Sequence, residues 1–597
     1  MSPPVRVPGR GPRATPTTGR TTRPLRRGAA WRVARLALVA LAAAGAAWPL
    51  QAADAPVSPG SGPAPLPRPA PAPALPSGAF TLPPLPAEPA AAAGAVPAPG
   101  AWRFVLRELV FRGHTVLDTA TLDGLAAPER GQPVGPAELE ALRLRLTRAY
   151  VDRGYVNSGL RLAEVAPDAG RVVFDVVEGR LAALRLRGLD GLREGYVRAA
   201  LLRDDDGPLN VDRLRERFQR LLDDPLFAHL NARLLPGRVP GEAVLEVEVE
   251  RARPWGLSVF ANNHRPVSIG AASMGLAGWL RNLSGHGDTL EATLQAPTDG
   301  RGDLRGSLAW RLPLGSSRTQ LSLSADEGQS SVVEESVRAL DIESRLASRE
   351  IGLSHTPWET LSQRLSLGVQ GAWRENRSWL LGQPFSFNPG EPDGVLKERL
   401  GRFWQEYSWR TEQQVLALRS TFVWGRNNLQ RIDGLPLADP PPDRFRLWVG
   451  QLQFAHRWRD DGPQLVARAT VQRSPDRLLA LDGLSIGGVQ TVRGYRENQL
   501  VRDQGEVLNL ELEWPLRRGG PEDLQLTLVP FFDHGRGRNH GEPATTLQSA
   551  GLALRAGWRG WALELVAAHR IDPPPQAEGL GSNLQDRGIH VQLSYRF

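Results

Sequence analysis

The pentapeptide Gly-Leu-Ser-Ile-Gly at 483–487 is the first pattern with possible catalytic chemistry. It matches the Gly-x-Ser-x-Gly elbow, which presents a nucleophilic serine between a strand and a helix, with an acid and a histidine further along the chain. Here Gly487 is followed by a second glycine and by no amphipathic helix pattern. The context favours a loop over a catalytic Ser485, so the sequence predicts no enzyme.

Histidine, cysteine and lysine show no spacing typical of a metal or phosphate site. The ten histidines are scattered, the chain has no cysteine and no His-Glu-x-x-His motif, and its one lysine, Lys397, is not in a phosphate-binding loop. His534 and His540 lie beside loop glycines, a position typical of solvated side chains rather than metal ligands. The sequence therefore predicts neither a metal nor a cofactor.

Two residues of opposite charge, Arg493 and Asp533, lie in or beside the sharpest local motif of the sequence. Arg493 lies in the segment Val492-Arg493-Gly494-Tyr495, and Asp533 follows in the segment Phe531-Phe532-Asp533. An arginine and a carboxylate form a charge-assisted pair, which partial dehydration strengthens relative to an exposed ion pair. These two residues can meet only if the elements that carry them place the loop against the strand.

The last residues of the chain indicate what those elements are. Two faces alternate there: Ile589, Val591, Leu593, Tyr595 and Phe597 on one, and His590, Gln592, Ser594 and Arg596 on the other. A period of two with a polar second face is what a transmembrane β-barrel strand requires, with lipid outside and water inside. A chain that ends on an aromatic residue in such a strand resembles a bacterial outer-membrane protein, and Phe597 would be its assembly signal.

Residues 253–597 repeat this alternation in segments separated by loops rich in Gly, Pro, Asp and Asn. Examples are 288–295, 305–314, 319–325, 364–373, 444–456, 464–472, 507–514, 523–532 and 552–566. A soluble sandwich gives a similar pattern. Charged residues that recur on the non-apolar face, and 17 tryptophans suited to an interfacial girdle, favour a membrane barrel. The prediction is an all-β transmembrane barrel of about 16 antiparallel strands, with about 14 or 18 left open.

The alternation around 524–532 also assigns Phe531 and Asp533 to a face. If Leu524, Leu526 and Leu528 contact lipid, then Phe531 and Asp533 face the lumen. A loop that folds into the lumen would bring Arg493 to Asp533. The other side chains expected to line the lumen are Glu511, Glu513, Gln592 and Arg596.

The first 53 residues have the order of a secretory signal peptide. They hold nine arginines and no acidic residue, with Arg32 and Arg35 before an apolar run at 36–47 and small residues after it. Cleavage after Ala52, Ala53 or Ala55 is compatible with this sequence. A retained anchor helix is disfavoured because the run is shorter than the ~20 residues of a membrane span. The rest of the chain has 63 basic against 64 acidic residues, so the net charge of +8 is no argument for nucleic-acid binding.

Three further segments follow the leader. Residues 54–100 are mostly Pro and Ala, which predicts an extended, semi-rigid linker rather than a packed domain. Residues 101–179 and 180–252 each have the pattern of a strand, an amphipathic helix and a closing strand, which predicts two copies of one small α/β unit. The helix faces share one spacing: Leu139, Leu142, Leu146, Ala149 and Tyr150 in the first unit, and Val211, Leu214, Phe218, Leu221 and Leu222 in the second.

These motifs resemble one family, the two-partner secretion (type Vb, TpsB) transporters of the BamA/TpsB superfamily. Val492–Tyr495 is similar to the tip of the family's sixth extracellular loop, and Phe531-x-Asp533 to the wall motif that pairs with its arginine. The sequences Gly-Tyr-Val-Asn-Ser at 154–158 and Val-Val-Glu-Gly at 176–179 resemble the end of the first polypeptide-transport-associated (POTRA) domain. Asn-Leu-Ser-Gly-His-Gly-Asp at 282–288 resembles the first barrel hairpin. Together these matches cover roughly residues 100–597.

The resemblance implies a fold class and a function. The fold is two α+β POTRA repeats, 101–179 and 180–252, followed by an all-β barrel, 253–597. The function is export of a dedicated TpsA-type exoprotein, an adhesin or cytolysin, through a bacterial outer membrane with the POTRA domains in the periplasm. Expected partners are outer-membrane lipid and the barrel assembly machinery, with a monomeric transporter. The alternatives are an assembly factor that inserts other barrels and a passive porin.

The resemblance also implies site residues. A loop–barrel latch would comprise Val492, Arg493, Gly494, Tyr495, Phe531 and Asp533. The family usually has an N-terminal helix that plugs the pore, but residues 55–100 contain no amphipathic segment of that length. A plug helix is therefore not predicted for this chain.

Overall fold

The computed structural model describes residues 78–81, 102–202, 207–298, 304–335, 337–430, 441–520, 522–574 and 583–597. The predicted leader, and any plug helix in 55–77 or 82–100, lie outside these residues. Residues 78–81 form strand β1 (Gly78–Thr81). Within the described part of the chain, no helix combines the length and the apolar character needed to cross a membrane.

The first α/β unit, residues 104–177, contains a three-stranded sheet, a two-stranded sheet and two helices. Its strands are β2 (Phe104–Val105), β3 (Glu108–Arg112), β4 (Pro133–Val134), β5 (Gly159–Ala166) and β6 (Arg171–Val177), and its helices are α1 (Thr119–Ala126) and α2 (Pro136–Val151). Strand β6 is central, parallel to β3 and antiparallel to β5, while β2 pairs with β4. The five residues predicted on the apolar face of α2 are all buried.

The second α/β unit, residues 180–251, repeats this arrangement. Its elements are β7 (Arg180–Arg187), α3 (Glu194–Leu201), α4 (Val211–Leu222), β8 (Phe227–Pro236) and β9 (Glu242–Arg251). Strand β9 is central, parallel to β7 and antiparallel to β8, so β7, β8 and β9 correspond to β3, β5 and β6. The five residues predicted on the apolar face of α4 are buried too. The repeat inferred from the helix spacing is therefore a repeat of topology.

One strand of the linker joins the second unit. Strand β1 pairs in parallel with β8, on the edge of that sheet away from β9. The corresponding edge, on β5 of the first unit, pairs with no strand among the described residues. Residues 78–81, which lie within the predicted linker, are extended and form part of this sheet.

The barrel has 16 antiparallel strands and closes on itself. The strands are β10 (Trp255–Asn262), β11 (Ser273–Arg281), β12 (Thr289–Pro297), β13 (Arg305–Leu314), β14 (Ser316–Ser331), β15 (Glu343–Glu359), β16 (Gln363–Leu380), β18 (Val395–Arg410), β19 (Gln414–Asn427), β20 (Arg444–Arg457), β21 (Gln464–Arg473), β24 (Gln504–Arg517), β25 (Gln525–Arg538), β26 (Thr545–Trp558), β27 (Trp561–Arg570) and β28 (Ile589–Arg596). Three short strands lie in loops: β17 (Gln383–Pro384), β22 (Leu484–Ile486) and β23 (Leu500–Arg502). The last strand, β28, pairs with β10 and completes the closure.

One predicted segment is wrong. Residues 552–566 were expected to alternate as a single strand, but they belong to β26 and β27, which a turn at Arg559 and Gly560 separates. Gly560 takes a φ of +85° and Arg559 a φ of +45°, a left-handed pair that reverses the chain within two residues. The outward-facing apolar residues change from even positions in β26, such as Leu552 and Trp558, to odd positions in β27, such as Trp561 and Leu563. This change of phase in the alternation marks the turn.

The two faces of the barrel wall differ as the alternation predicts. On β24, Asn509 and Glu511 are buried on the lumen face, while Leu508 and Trp514 remain exposed on the outer face. Other tryptophans exposed on the described strands and turns are Trp358, Trp373, Trp424, Trp458, Trp558 and Trp561. Exposed aromatic and aliphatic side chains around a closed barrel are what a lipid environment requires.

Candidate functional site

The candidate site is the loop at 474–503, which connects β21 to β24 and folds against the lumen face of the wall. Its short strands β22 and β23 form a hairpin. Ile486 and Val492 of this loop lie over Gly535 of β25, where a Cβ atom would come within 2.4 Å and 2.7 Å of their side chains. The wall therefore accommodates the loop because this position has no side chain.

Arg493 and Asp533 meet inside the barrel, as the sequence predicts. The guanidinium donates from Nε to Oδ2 at 2.7 Å and from Nη2 to Oδ1 at 2.7 Å, and the backbone N–H of Arg493 donates to Oδ2 at 3.0 Å. Arg493 is 2% exposed and Asp533 is fully buried. The Phe531 ring, on the lumen face as predicted, lies 3.6 Å below the guanidinium carbon. A bidentate pair over an aromatic ring is a strong and directional contact.

Two wall residues of β24 complete the surroundings of this pair. Glu511 accepts from Arg493 Nη1 at 2.8 Å, and Asn509 donates to Asp533 Oδ1 at 2.7 Å and to the carbonyl of Thr491. Sequence alternation placed Glu511 in the lumen but assigned it no partner, and Asn509 was only placed on the polar face. The register of β24 on β25, which pairs Asn509 with Asp533, is the information that was missing.

An ionic network extends from Glu511 along the wall. Glu511 also accepts from Arg468 at 2.5 Å and from Arg555 at 3.1 Å, and Arg555 contacts Glu513 at 2.7 Å and Glu564 at 2.9 Å. Arginines from the wall thus compensate the carboxylates that face Arg493, which lowers the cost of burying several charges together. The loop arginine is one member of a network that spans β21, β24, β26 and β27.

Gly494 fits a narrow space at the tip of the loop. It has a φ of +90°, and a Cβ atom there would lie 2.8 Å from the Cβ of Ala568. Its N–H donates to Nε2 of His590 at 3.1 Å, and its carbonyl accepts from Arg570. Both the backbone conformation and the close approach require glycine at this position.

Tyr495 anchors the other side of the tip. Its side chain is fully buried, and its hydroxyl lies 2.8 Å from the carbonyl of Gln548 and 2.7 Å from that of Asp572. Val492 is also fully buried and packs with Leu484 and Leu500 of the loop hairpin. The structure thus brings all six predicted latch residues to one place.

Ser485 and Phe597 lie apart from this cluster. Ser485 is in β22, its hydroxyl donates to Asn498, and the chain after it turns at Gly487 and Gly488 instead of forming the helix of a nucleophile elbow. Phe597 lies at the opposite, short-turn end of the barrel, where its N–H donates to Leu257 at 3.0 Å. Its side chain is 51% exposed on the outer face.

The fold and the site together define an outer-membrane β-barrel with periplasmic POTRA domains and an extracellular loop held inside the lumen. A POTRA domain model of the ShlB type matches residues 104–179. The model of the haemolysin secretion/activation proteins ShlB/FhaC/HecB matches residues 241–560. The chain therefore belongs to the ShlB/FhaC/HecB family.

Individual relatives agree with this assignment. The chain is 24% identical over 436 residues to an outer membrane transporter CdiB of Escherichia coli, covering 69% of each chain. It is 22% identical over 474 residues to that of Dickeya dadantii, covering 76% of this chain and 81% of the relative. Among solved structures, CdiB from Escherichia coli superposes with a TM-score of 0.65 at 21% identity, covering 85% of this chain and 93% of the other. CdiB from Acinetobacter baumannii gives a TM-score of 0.59 at 14% identity, covering 83% and 90%.

Family membership establishes the class of function. The protein is a TpsB-type, two-partner secretion transporter of the outer membrane, with its POTRA domains in the periplasm. Its family consists of transporter barrels and not of enzymes, and a transporter of this type has a cognate TpsA-type exoprotein.

Proposed function

We propose that this transporter exports one dedicated, large exoprotein, an adhesin or cytolysin, without nucleotide hydrolysis. The observation that carries the proposal is one chain in which two periplasmic α/β units precede a closed barrel with a loop paired to its wall. The outer membrane has no nucleotide supply, so the driving force must come from the exported chain. Folding of that chain outside the cell would make its return unfavourable.

Capture of the partner would begin at the first α/β unit. The edge of β5 away from β6 is unpaired in the described residues, and Leu162 and Ala163 on this strand are exposed. The equivalent edge in the second unit accepts the extended segment β1 in parallel. We propose that an extended segment of the exoprotein adds to the β5 edge by β-augmentation, in which backbone hydrogen bonds give affinity.

Passage would follow through the lumen. The loop at 474–503 occupies part of the lumen, and the latch residues hold it against the barrel wall. We propose that they keep the loop in this position during export. The lumen is lined by polar and charged side chains, which suit an extended hairpin with solvated backbone. The proposed unit is a monomer, since the barrel closes within one chain.

An assembly factor that inserts other barrels is the second candidate function. Assembly factors share the loop motif at 492–495, so the presence of the latch does not distinguish secretion from barrel assembly. Two α/β units after a Pro-rich linker favour secretion, because an assembly factor usually carries more such repeats. A porin has no need of periplasmic α/β units.

The proposal is tested by comparing culture supernatants of the wild-type strain, a strain deleted for this chain and a complemented strain by mass spectrometry. We expect one large exoprotein to disappear on deletion and return on complementation, with other outer-membrane proteins unchanged. A general loss of barrel proteins would instead support the assembly factor. Unchanged supernatants would refute export.

A further inference from the structure

The first periplasmic turn, residues 282–288 between β11 and β12, is fixed by its own hydrogen bonds. Asp288 is fully buried and accepts from the N–H and the hydroxyl of Ser284 at 2.9 Å and 2.7 Å, and from Trp310 at 2.8 Å. The N–H of Gly287 donates to the side chain of Asn282 at 3.0 Å. These hydrogen bonds hold the turn in a defined shape. We call residues 282–288 the docking turn, because they contact the second α/β unit.

The docking turn lies directly against the second α/β unit. The N–H of Arg193, at the start of α3, donates to the carbonyl of Gly285 at 2.9 Å. Gly287 faces the unit so closely that a Cβ atom would come within 2.6 Å of the Tyr196 ring and 2.9 Å of Leu226. Real Cβ atoms do not approach other atoms this closely, so only glycine permits the contact.

The same rim contacts the unit at other places too: helix α3 lies against β14, and two further contacts involve α4 and its end. Asp223, just after α4, forms an ion pair with Arg410 at the end of β18. Arg220 of α4 donates to the carbonyl of Glu359 at 3.0 Å and lies 3.6 Å from its carboxylate, at the end of β15. Three points on a circular rim cannot be collinear, so contacts at these places fix the orientation of the unit and not only its distance.

We propose that the docking turn holds the second α/β unit in one orientation beneath the pore, and that export depends on this orientation. The proposal rests on the proposed secretion function and adds a positioning role for Gly287. A segment captured by the α/β units enters the lumen as an intramolecular step, whose effective concentration depends on the geometry of the connection. A unit that swings freely presents the same segment to the pore less often.

The test compares alanine substitutions at two glycines that have nearly the same positive φ angle. Gly287 has a φ of +78° and Gly315, in the next periplasmic turn, has a φ of +75°, so alanine strains both alike. A Cβ atom at Gly315 would meet nothing within 4 Å, whereas at Gly287 it would strike Tyr196. We expect Gly287→Ala to lower secretion about tenfold, equivalent to ~1.4 kcal/mol of lost docking, and Gly315→Ala to leave secretion unchanged.

A distance measurement separates orientation from stability. The chain has no cysteine, so spin labels at Arg198→Cys in α3 and Asp460→Cys in a distant periplasmic turn report one defined pair. The spin-labelled full-length protein should give a narrow distance distribution when it carries no further substitution, and also when it carries Gly315→Ala. With Gly287→Ala the distribution should be broad. Heat-modifiable migration confirms that each barrel is folded.

A second variant covers the case in which Gly287→Ala impairs barrel folding. Asp223→Ala leaves the docking turn intact but removes the ion pair to Arg410, and it should also broaden the distance distribution and lower secretion. Normal secretion from both folded variants, equal loss in Gly287→Ala and Gly315→Ala, or lost secretion with an unchanged distance would each overturn the proposal. A wild type that exports nothing would refute the proposed function itself.

Discussion

Arg493 and Asp533 form a bidentate ion pair inside the barrel, with both N···O distances at 2.7 Å. The pair joins an extracellular loop to the lumen face of β25, and neither residue is accessible to solvent. A buried charge that loses its partner is strongly destabilising, because nothing else offsets its desolvation. The connection between loop and wall therefore depends on both residues.

Arg493→Ala and Asp533→Ala should leave a folded barrel that secretes poorly. Removing one partner of a buried pair costs about 3–5 kcal/mol, which we expect to release the loop tip and lower secretion about tenfold or more. The barrel itself retains its complete ladder of strand pairs. Secretion is measured in supernatants, and barrel folding by heat-modifiable migration of the outer-membrane fraction.

The matched control for the latch is Arg502→Ala. Arg502 is also a loop arginine, but its guanidinium donates to the neighbouring carbonyl of Val501. We expect near-normal secretion from this variant. Arg493→Lys adds a further comparison, since a lysine keeps the charge but cannot form the bidentate contact. Normal secretion from Arg493→Ala and Asp533→Ala would exclude a role for the pair in export.

Glu178→Gln should destabilise the first α/β unit in a pH-dependent manner. Burial opposes ionisation of Glu178, but hydrogen bonds from Thr115, Val116 and Tyr150 outweigh it and lower its pKa below the usual 4.5. A lowered pKa stabilises the folded state above pH 4.5, and this contribution is lost as the pH falls through the folded-state value. We expect a cost of about 1–3 kcal/mol at neutral pH, which disappears at acidic pH.

The measurement for Glu178 is hydrogen exchange of residues 104–177 in the full-length protein at several pH values. Glu164→Gln, which changes an exposed glutamate of β5, is the control and should not alter protection. A loss of protection in Glu178→Gln that is the same at acidic and neutral pH would show that ionisation of Glu178 is not the cause.

The β5 edge should contact the exoprotein during export. A photo-cross-linking amino acid at Leu162, which is exposed on that edge strand, is expected to give an adduct with the secreted partner in cells. The same amino acid at Arg148, exposed on α2, should give little or none. Equal adducts at both positions would indicate contact without use of the edge.

Deletion of 102–179 should abolish capture of the exoprotein, while channel conductance of the barrel in planar bilayers persists.

Most of this architecture could be predicted from the sequence, because strands and helices each have a characteristic hydrophobic period. Alternation assigned Phe531 and Asp533 to the lumen, and equal helix spacing identified two related α/β units, since both follow from side-chain geometry within one element. Leu552 and Val566 lie in two different strands, and the sequence signal for the break is a change of phase in the alternation at the two-residue turn. Contacts within an element were therefore easier to predict than its ends.

Partners across elements were harder to predict. The pairing of Arg493 with Asp533 came from a family resemblance, whereas Glu511, Asn509 and Arg555 needed the register between neighbouring strands. Register depends on turn lengths and on closure of the entire barrel, which a single strand does not encode. The contact between Gly287 and Tyr196 depends on how two domains meet, and it has no signal in either segment alone.

Phe597→Ala should reduce the amount of barrel that reaches the outer membrane. The side chain is half exposed on the outer face of β28 and packs edge-on against Tyr595 at 4.8 Å, while the backbone carbonyl accepts from Arg253 at 2.7 Å. Loss of one exposed ring costs the finished barrel little, so a large effect must arise during assembly. Leu593→Ala removes another exposed apolar side chain from the same face of β28 and is the matched control. We expect the heat-modifiable form to fall with Phe597→Ala and to persist with Leu593→Ala. Equal losses would mean that the assembly machinery responds to the apolar area of the strand and not to its terminal aromatic residue.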